Sequence, residues 1–227
     1  MEKLSTLEHA NIIETRMFLY NILKYAFYVE PNIELIKLFS EDDFLMNLPF
    51  KEEDCLISEG IYDLIEYFKK NDVLETNNFK CLHWDYTKMF VGPGSLPAPP
   101  WGSAYITEDR LLFQESTLDA RKSYLKYNLI VKNYLQEPDD HIGSELDFMY
   151  RLCEFAVKNI DKPNKLIEIL EDQRSFLNEH IGKWVFEFSD DIIEYSDTLF
   201  YKGIAKILKG FIRIDKVIVS DLIKTLN

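Results

Sequence analysis

Half of the eight prolines in this chain fall within one short stretch, Pro93-Gly94-Ser95-Leu96-Pro97-Ala98-Pro99-Pro100. Proline fixes its own φ, offers no N–H and restricts the residue before it, so the stretch is neither helix nor central strand. It must run extended or polyproline-like, with little conformational freedom left to lose. Elsewhere breakers are scarce: 227 residues hold only eight glycines and eight prolines in all. Apolar residues on both sides recur at helical rather than alternating spacing. The expectation is an all-α fold of about ten helices in a single globular domain, residues 1–227, with the Pro-rich loop 92–103 joining an N-terminal and a C-terminal helical half.

The apolar runs locate the helices. Residues 5–29 read as the first, capped by Ser5 or Thr6 with Glu8 reinforcing the start. Ile33–Phe39 reads as a short second helix, followed by an acidic turn region from Glu41. The pattern returns over Glu52–Lys70 and again over Phe79–Val91, after a polar connector at 71–78. Ala104–Phe113 has a weak β-pair signal around Thr107-Glu108-Asp109. Ser116 or Thr117 is placed to cap a helix through Asn128. A long helix follows Glu137, with Leu146, Met149, Tyr150, Cys153, Val157 and Ile160 as its core stripe. The next uses Leu166, Ile169, Leu170, Phe176, Leu177 and Ile181, and Gly182 is placed to stop it. Trp184, Phe186 and Phe188 lead into the last helices.

Composition narrows the function. Hydrophobic residues make up 47%, enough for a packed core. The formal net charge is −13, which repels phosphate backbones and anionic membranes and attracts basic partners. Nucleic acid is therefore not an expected partner. Cys55, Cys81 and Cys153 stand apart, without the ligand spacing of a zinc site, and suit a reducing cytoplasm. The N-terminus lacks the pattern of a signal peptide, and no apolar run approaches spanning length, so a cytoplasmic protein without stable membrane insertion is expected.

Two stretches carry candidate chemistry. In the first, Leu96 and Trp101 border the proline wall of Pro99 and Pro100 and must pack on the body or on a partner. The second is Glu137-Pro138-Asp139-Asp140-His141, just before the long helix. Pro138 suits a loop or first helical turn, and the acid pair suits a helix N-terminus. If the helix starts here, His141 and Glu145 share a face one turn apart. Such a corner either meets a cation or hydrogen-bond donor, or is a well-capped helix start and nothing more. Catalytic patterns are absent: there is no GxSxG elbow, no lysine-bearing phosphate loop, no HExxH and no EF-hand spacing. Asp140 and His141 have no nucleophile or metal ligand beside them to make an acid–base pair useful. No catalytic residue, cofactor or metal is expected.

At these stretches the chain resembles the TorD/DmsD family of redox enzyme maturation chaperones. The likeness rests on Asp85-Tyr86-Thr87-Lys88-Met89-Phe90-Val91-Gly92-Pro93, on Leu96-Pro97-Ala98-Pro99-Pro100-Trp101-Gly102-Ser103 and on Glu137-Pro138-Asp139-Asp140-His141-Ile142-Gly143. It continues more loosely through His180, Trp184, Phe188 and Phe200-Tyr201. One departure is Gly94, where some DmsD-like members carry a bulky aromatic. The resemblance implies an all-α, non-enzymatic cytoplasmic chaperone. Its partner would be the twin-arginine signal peptide, and in some cases the body, of a molybdopterin-containing oxidoreductase, held back until its cofactor is inserted. It also implies weak guanine-nucleotide binding and domain-swapped dimers for parts of the family, hence a monomer or homodimer here.

The residues suit that role. Arginine takes carboxylates in bidentate geometry, and Glu137, Asp139 and Asp140 are candidates to supply them, with Pro138 and His141 shaping the corner. Tyr86, Phe90, Leu96 and Trp101 are candidates to line a groove for the apolar part of the leader, with Pro99 and Pro100 as its stiff wall. Two alternatives stand beside this reading. One is a nucleotide (GTP)-binding or hydrolysing protein using the loop and corner with a metal. The other is a helical scaffold whose proline loop only joins two halves.

Overall fold

A computed structural model describes residues 4–72, 75–106, 112, 114–131 and 137–226. Among the described residues the chain is helical, and its one β-type pairing is an isolated antiparallel bridge between Trp101 and His141. The helices are α1 (Thr6–Tyr28), α2 (Ile33–Phe39), α3 (Asp42–Met46), α4 (Cys55–Lys70), α5 (Thr76–Tyr86), α6 (Ser103–Ile106), α7 (Glu115–Lys126), α8 (Ile142–Lys158), α9 (Pro163–Phe176), α10 (Gly182–Tyr195) and α11 (Leu199–Leu226). Wider π-helical turns, Thr87–Val91 and Leu177–Ile181, extend α5 and α9.

The chain divides into two compact units, neither of them continuous in sequence. The first comprises residues 1–24, 101–184 and 212–227, and the second residues 25–100 and 185–211. The change from second to first along the central chain falls between Pro100 and Trp101, at the end of the proline-rich loop.

In the first unit, α1 opens with the reciprocal cap read from sequence. The Ser5 N–H donates to Glu8 Oε2 at 2.7 Å and the Glu8 N–H to Ser5 Oγ at 3.3 Å, satisfying two donors a helix start leaves open. The core stripe of α8 is Ile142, Leu146, Met149, Cys153 and Ala156, all fully buried, at the three- and four-residue steps that place side chains on one face. Burying Ile142, Leu146 and Met149 contributes about 1.5–3 kcal/mol each. Tyr150, Val157 and Ile160, also expected in that stripe, are only half-buried. Rings from three helices meet here: Phe148 lies 4.8 Å from Tyr124 and 4.8 Å from Phe176.

The same unit buries an ion pair. Arg16 Nε donates to Asp215 Oδ1 at 2.5 Å, Nη2 donates to Oδ2 at 3.0 Å, and the Tyr20 hydroxyl donates to Oδ2 at 2.5 Å. Arg16 and Asp215 are wholly buried, so the fork geometry and the added hydroxyl are needed to offset the loss of water. Burial pushes the nearby Cys153 thiol up to about 12, so it stays protonated.

Gly182 does not stop the preceding helix. It sits at φ −72°, within the helical range, where a C-terminal stop needs a positive φ. A Cβ there would lie 2.2 Å from the Leu177 carbonyl oxygen, so glycine is required by close approach and not by a turn. The Thr107-Glu108-Asp109 segment lies outside the described residues, and Ala104 just before it is in the single turn α6.

In the second unit, α2 and α4 are capped by Asn32 and Asp54, whose side chains accept from the N–H of Leu35 and Leu56. The region read as an acidic turn at 41–43 instead opens the short helix α3. Gly60 of α4 and Gly203 of α11 meet backbone to backbone: a Cβ on either would lie 2.5 or 2.7 Å from the other's carbonyl oxygen. The buried Asp85 carboxylate is a clamp on the turn between α10 and α11. It accepts from Ser196 Oγ at 2.7 Å, Asp197 N at 3.0 Å, Thr198 N at 3.0 Å and Thr198 Oγ1 at 2.6 Å.

Replacing Asp85 by alanine leaves several buried donors without an acceptor, and each costs about 1–3 kcal/mol. A denaturation midpoint lowered by at least one such step, at unchanged slope, is the expected outcome for Asp85→Ala.

Candidate functional site

The candidate site in the first unit is built on Asp140. Its backbone carbonyl accepts the Gly102 N–H at 3.0 Å, next to the Trp101–His141 bridge. Its carboxylate accepts the Ser103 N–H on Oδ2 at 2.6 Å and the Thr117 hydroxyl on Oδ1 at 3.0 Å. One residue thus holds together the end of the proline-rich stretch, the start of α7 and the entry to α8. Gly102 is required by packing: a Cβ on it would meet the Trp184 indole at 2.8 Å.

Asp139 is anchored on the same helix. Arg121 Nε donates to its Oδ2 at 2.5 Å and the Tyr124 hydroxyl to its backbone carbonyl at 2.8 Å. Thr117, Arg121 and Tyr124 lie at i, i+4 and i+7, one face of α7, and that face grips the Asp139-Asp140 pair. Thr117 therefore does not cap α7. The N-cap is Gln114, whose side chain makes no capping bond, and the helix starts at Glu115, with the threonine hydroxyl engaged by Asp140.

His141 is the N-cap of α8. Its Nδ1 accepts the Gly143 N–H at 3.0 Å, so in this geometry the ring proton sits on Nε2. Nε2 lies 3.8 Å from Glu137 Oε1. Burial lowers the His141 pKa to about 4, against the opposing pull of Glu137 and Asp140, so the ring is neutral at neutral pH. Its face meets the Trp101 indole edge-on at 5.8 Å between centroids.

One turn on, Glu145 is fully buried and accepts from Trp184 Nε1 at 3.1 Å, while Tyr105 stacks on Trp184 at 5.6 Å. Burial, with the Asp140 charge nearby, holds the Glu145 carboxyl well above the ordinary value of 4.5, the Trp184 bond opposing. Burial therefore favours the protonated form of Glu145. His141 and Glu145 do share the face expected of them, and burial disfavours the charged form of each.

The arrangement corrects two expectations. Asp139 and Asp140 are each 1% exposed and bound to groups of the chain itself, so they build the corner rather than present carboxylates to solvent. Pro138 is buried with them, whereas Glu137 is half-buried. Tyr86 and Phe90 are core residues of the second unit and not groove lining. The Tyr86 hydroxyl donates to the Phe27 carbonyl at 3.2 Å, and Phe90 packs among Phe27, Tyr86, Phe188 and Tyr201. In that unit Leu96 and Pro99 are half-buried, and Pro100 is buried. Gly94 stands at φ +110°, a backbone region that side chains disfavour.

Trp101 is half-buried, and its indole N–H is enclosed without a hydrogen-bond partner among the described residues. Asp139 Oδ1 is in the same condition. A stranded buried polar group costs about 1–3 kcal/mol, so the corner is not arranged for stability alone. Reading the sequence missed Thr117, Arg121, Tyr124 and Trp184 as members of this corner. The i, i+4, i+7 spacing on α7 was the available signal for three of them.

Comparison with known proteins places the chain. The family described as "Nitrate reductase delta subunit" matches residues 57–190. The Haemophilus influenzae protein named "Probable Tat proofreading chaperone DmsD" is 26% identical over 188 residues, 81% of each chain. The Aliivibrio fischeri "Chaperone protein TorD" is 28% identical over 172 residues, 76% of this chain and 78% of its own. The Salmonella typhimurium "Tat proofreading chaperone DmsD" is 25% identical over 192 residues, 83% of this chain and 82% of its own. The motifs around Asp140 and the proline-rich stretch had pointed the same way, and the chain belongs to the nitrate reductase delta subunit family and to the TorD/DmsD group of redox enzyme maturation proteins.

Proposed function

We propose that the protein is a cytoplasmic, system-specific chaperone that binds the twin-arginine signal peptide of a molybdopterin-containing oxidoreductase and assists its maturation before export. The observation that carries this reading is the pairing of Trp101 with His141. It sets a half-buried indole, with an unpartnered N–H, beside the half-buried carboxylate of Glu137. Two kinds of contact that a basic, partly apolar peptide needs thus sit together: an aromatic surface and an anion. The family membership and the names of the relatives support the same reading. The net negative field speeds encounter with a basic peptide.

In this reading Trp101 and Glu137 touch the peptide. Asp139, Asp140 and His141 hold them in position. No catalytic step is required of any of them.

Calorimetry of the full chain with twin-arginine leader peptides checks the assignment. Trp101→Ala is expected to weaken binding at least tenfold, and Glu137→Gln by a few-fold with a flatter salt dependence, both with native unfolding midpoints. Asp140→Ala is expected to lower stability by about 2–6 kcal/mol, because the Ser103 N–H and the Thr117 hydroxyl each lose their acceptor at about 1–3 kcal/mol apiece. Full-strength leader binding by Trp101→Ala would remove the corner from the interface.

The site also carries a pH signature. Below the ordinary carboxyl value Glu145 is protonated whether the chain is folded or not, and its contribution to stability is at its full value. As pH rises past 4.5 the unfolded chain ionises first, and stability falls toward the raised folded value by about 1.4 kcal/mol per pH unit. Glu145→Gln removes this fall and keeps an acceptor for Trp184. The expected outcome is a variant that gains more over the wild type at pH 8 than at pH 5, read from denaturation midpoints.

A further inference from the structure

The first unit holds a recess, between α7, α8, α9 and the π-helical turn after α9, apart from the corner. Its lining includes Asp172 and the rings of Tyr127, Phe148, Phe176 and His180. The rings form a continuous series: Tyr127 and Phe148 are 6.0 Å apart, Phe148 and Phe176 4.8 Å, and Phe176 stacks on His180 at 4.5 Å. The recess has a cavity volume of about 70 Å³, well below that of small-ligand sites, so it takes the end of one side chain and not a whole ligand or a folded element.

The recess already contains a cation from its own rim. Lys126 Nζ contacts both carboxylate oxygens of Asp172, at 2.7 and 2.6 Å, and lies 6.0 Å from the centre of the Tyr127 ring. The Tyr127 hydroxyl donates to Oδ2 at 2.5 Å, which orients the carboxylate. Burial and this bond raise the Tyr127 hydroxyl above its ordinary range, so it remains a donor. Burial lowers the His180 ring pKa, the Asp119 charge opposing. Lys126 is 51% exposed and Asp172 25%, so their ion pair is a weak one and open to exchange.

A single ammonium bridging two oxygens does with one atom what a guanidinium does with two. The guanidinium fork makes parallel bonds to both oxygens, and its flat faces lie against aromatic rings, which an ammonium does less well. We propose that this recess binds the guanidinium of an arginine side chain on a basic peptide segment, and that Lys126 occupies it in the free protein as a displaceable stand-in. The proposal rests on the reading of a basic peptide partner given above, and assigns one arginine of that partner to Asp172.

The experiment is an NMR titration of the full chain with blocked arginine amide, blocked lysine amide and a twin-arginine leader peptide. The arginine probe is expected to shift Asp172 and Tyr127 resonances and to bind at least threefold tighter than the lysine probe. Lys126→Ala removes the competitor and is expected to tighten arginine binding by about three- to tenfold. This is a gain that misfolding cannot imitate. Lys122→Ala, on the same helix but paired with Asp119, is the control for general charge and is expected to change affinity less than twofold. Asp172→Asn is expected to abolish the effect. Equal tightening by both lysine variants, equal affinity for the two amides, or undiminished binding by Asp172→Asn each overturns the proposal. The two readings fail separately. Arginine amide bound through Asp172 with no leader binding leaves the recess and removes the chaperone role. Leader affinity untouched by Asp172→Asn, with no arginine amide bound, does the reverse.

Discussion

The first unit depends on one buried carboxylate meeting two donors from distant parts of the chain. Asp140 takes the Ser103 N–H and the Thr117 hydroxyl, while its own carbonyl takes the Gly102 N–H. Without that meeting the residues after the proline-rich stretch lose their hydrogen bonds to the entry of α8, and the Trp101–His141 pairing loses its support. Burying an anion is costly unless it is hydrogen-bonded, and here both oxygens are. The short distance from the Ser103 N–H fits a charge-assisted bond. Acid residues that a sequence reading assigns to ligand capture here hold in place the chain segment that carries the half-buried Trp101 indole.

This separates two uses of negative charge. Asp139 and Asp140 are consumed inside, one by Arg121 and the other by backbone and hydroxyl donors. Glu137 and Asp172 keep part of their surface toward solvent. Buried carboxylates fix shape, and half-exposed ones remain able to exchange partners. A strongly acidic chain thus keeps few of its carboxylates both built into a corner and open to solvent, while the rest of its charge acts as a long-range field.

Much of the fold was legible because helices of this length announce themselves by apolar spacing. Ile33–Phe39 fell where the pattern put it, and α8 buried Leu146, Met149 and Cys153 as expected. Boundaries were less legible where a capping side chain had a tertiary use. Thr117 has the chemistry of a cap, but Asp140, 23 residues on, holds its hydroxyl, and no local rule reveals that. Gly182 has the chemistry of a stop, but it is set by the crowding of Leu177. The corner itself was read at Pro138-Asp139-Asp140-His141, and its partners on α7 were not, since they come from another helix. Tyr86 and Phe90, one turn apart, fit a core stripe and a groove equally well by spacing. Only the ring contacts with Phe27, Phe188 and Tyr201 decide for the core.

Glu145 changes how the charge of the protein should be counted. The formal value of −13 takes every glutamate as an anion, yet burial favours the uncharged form of this one. Enclosing it shifts its equilibrium toward taking up a hydrogen ion from the surrounding buffer. His141 does the opposite in mildly acidic solution, giving one up as its ring is enclosed. Heats of unfolding will consequently depend on the ionisation enthalpy of the buffer chosen, the two groups contributing with opposite signs.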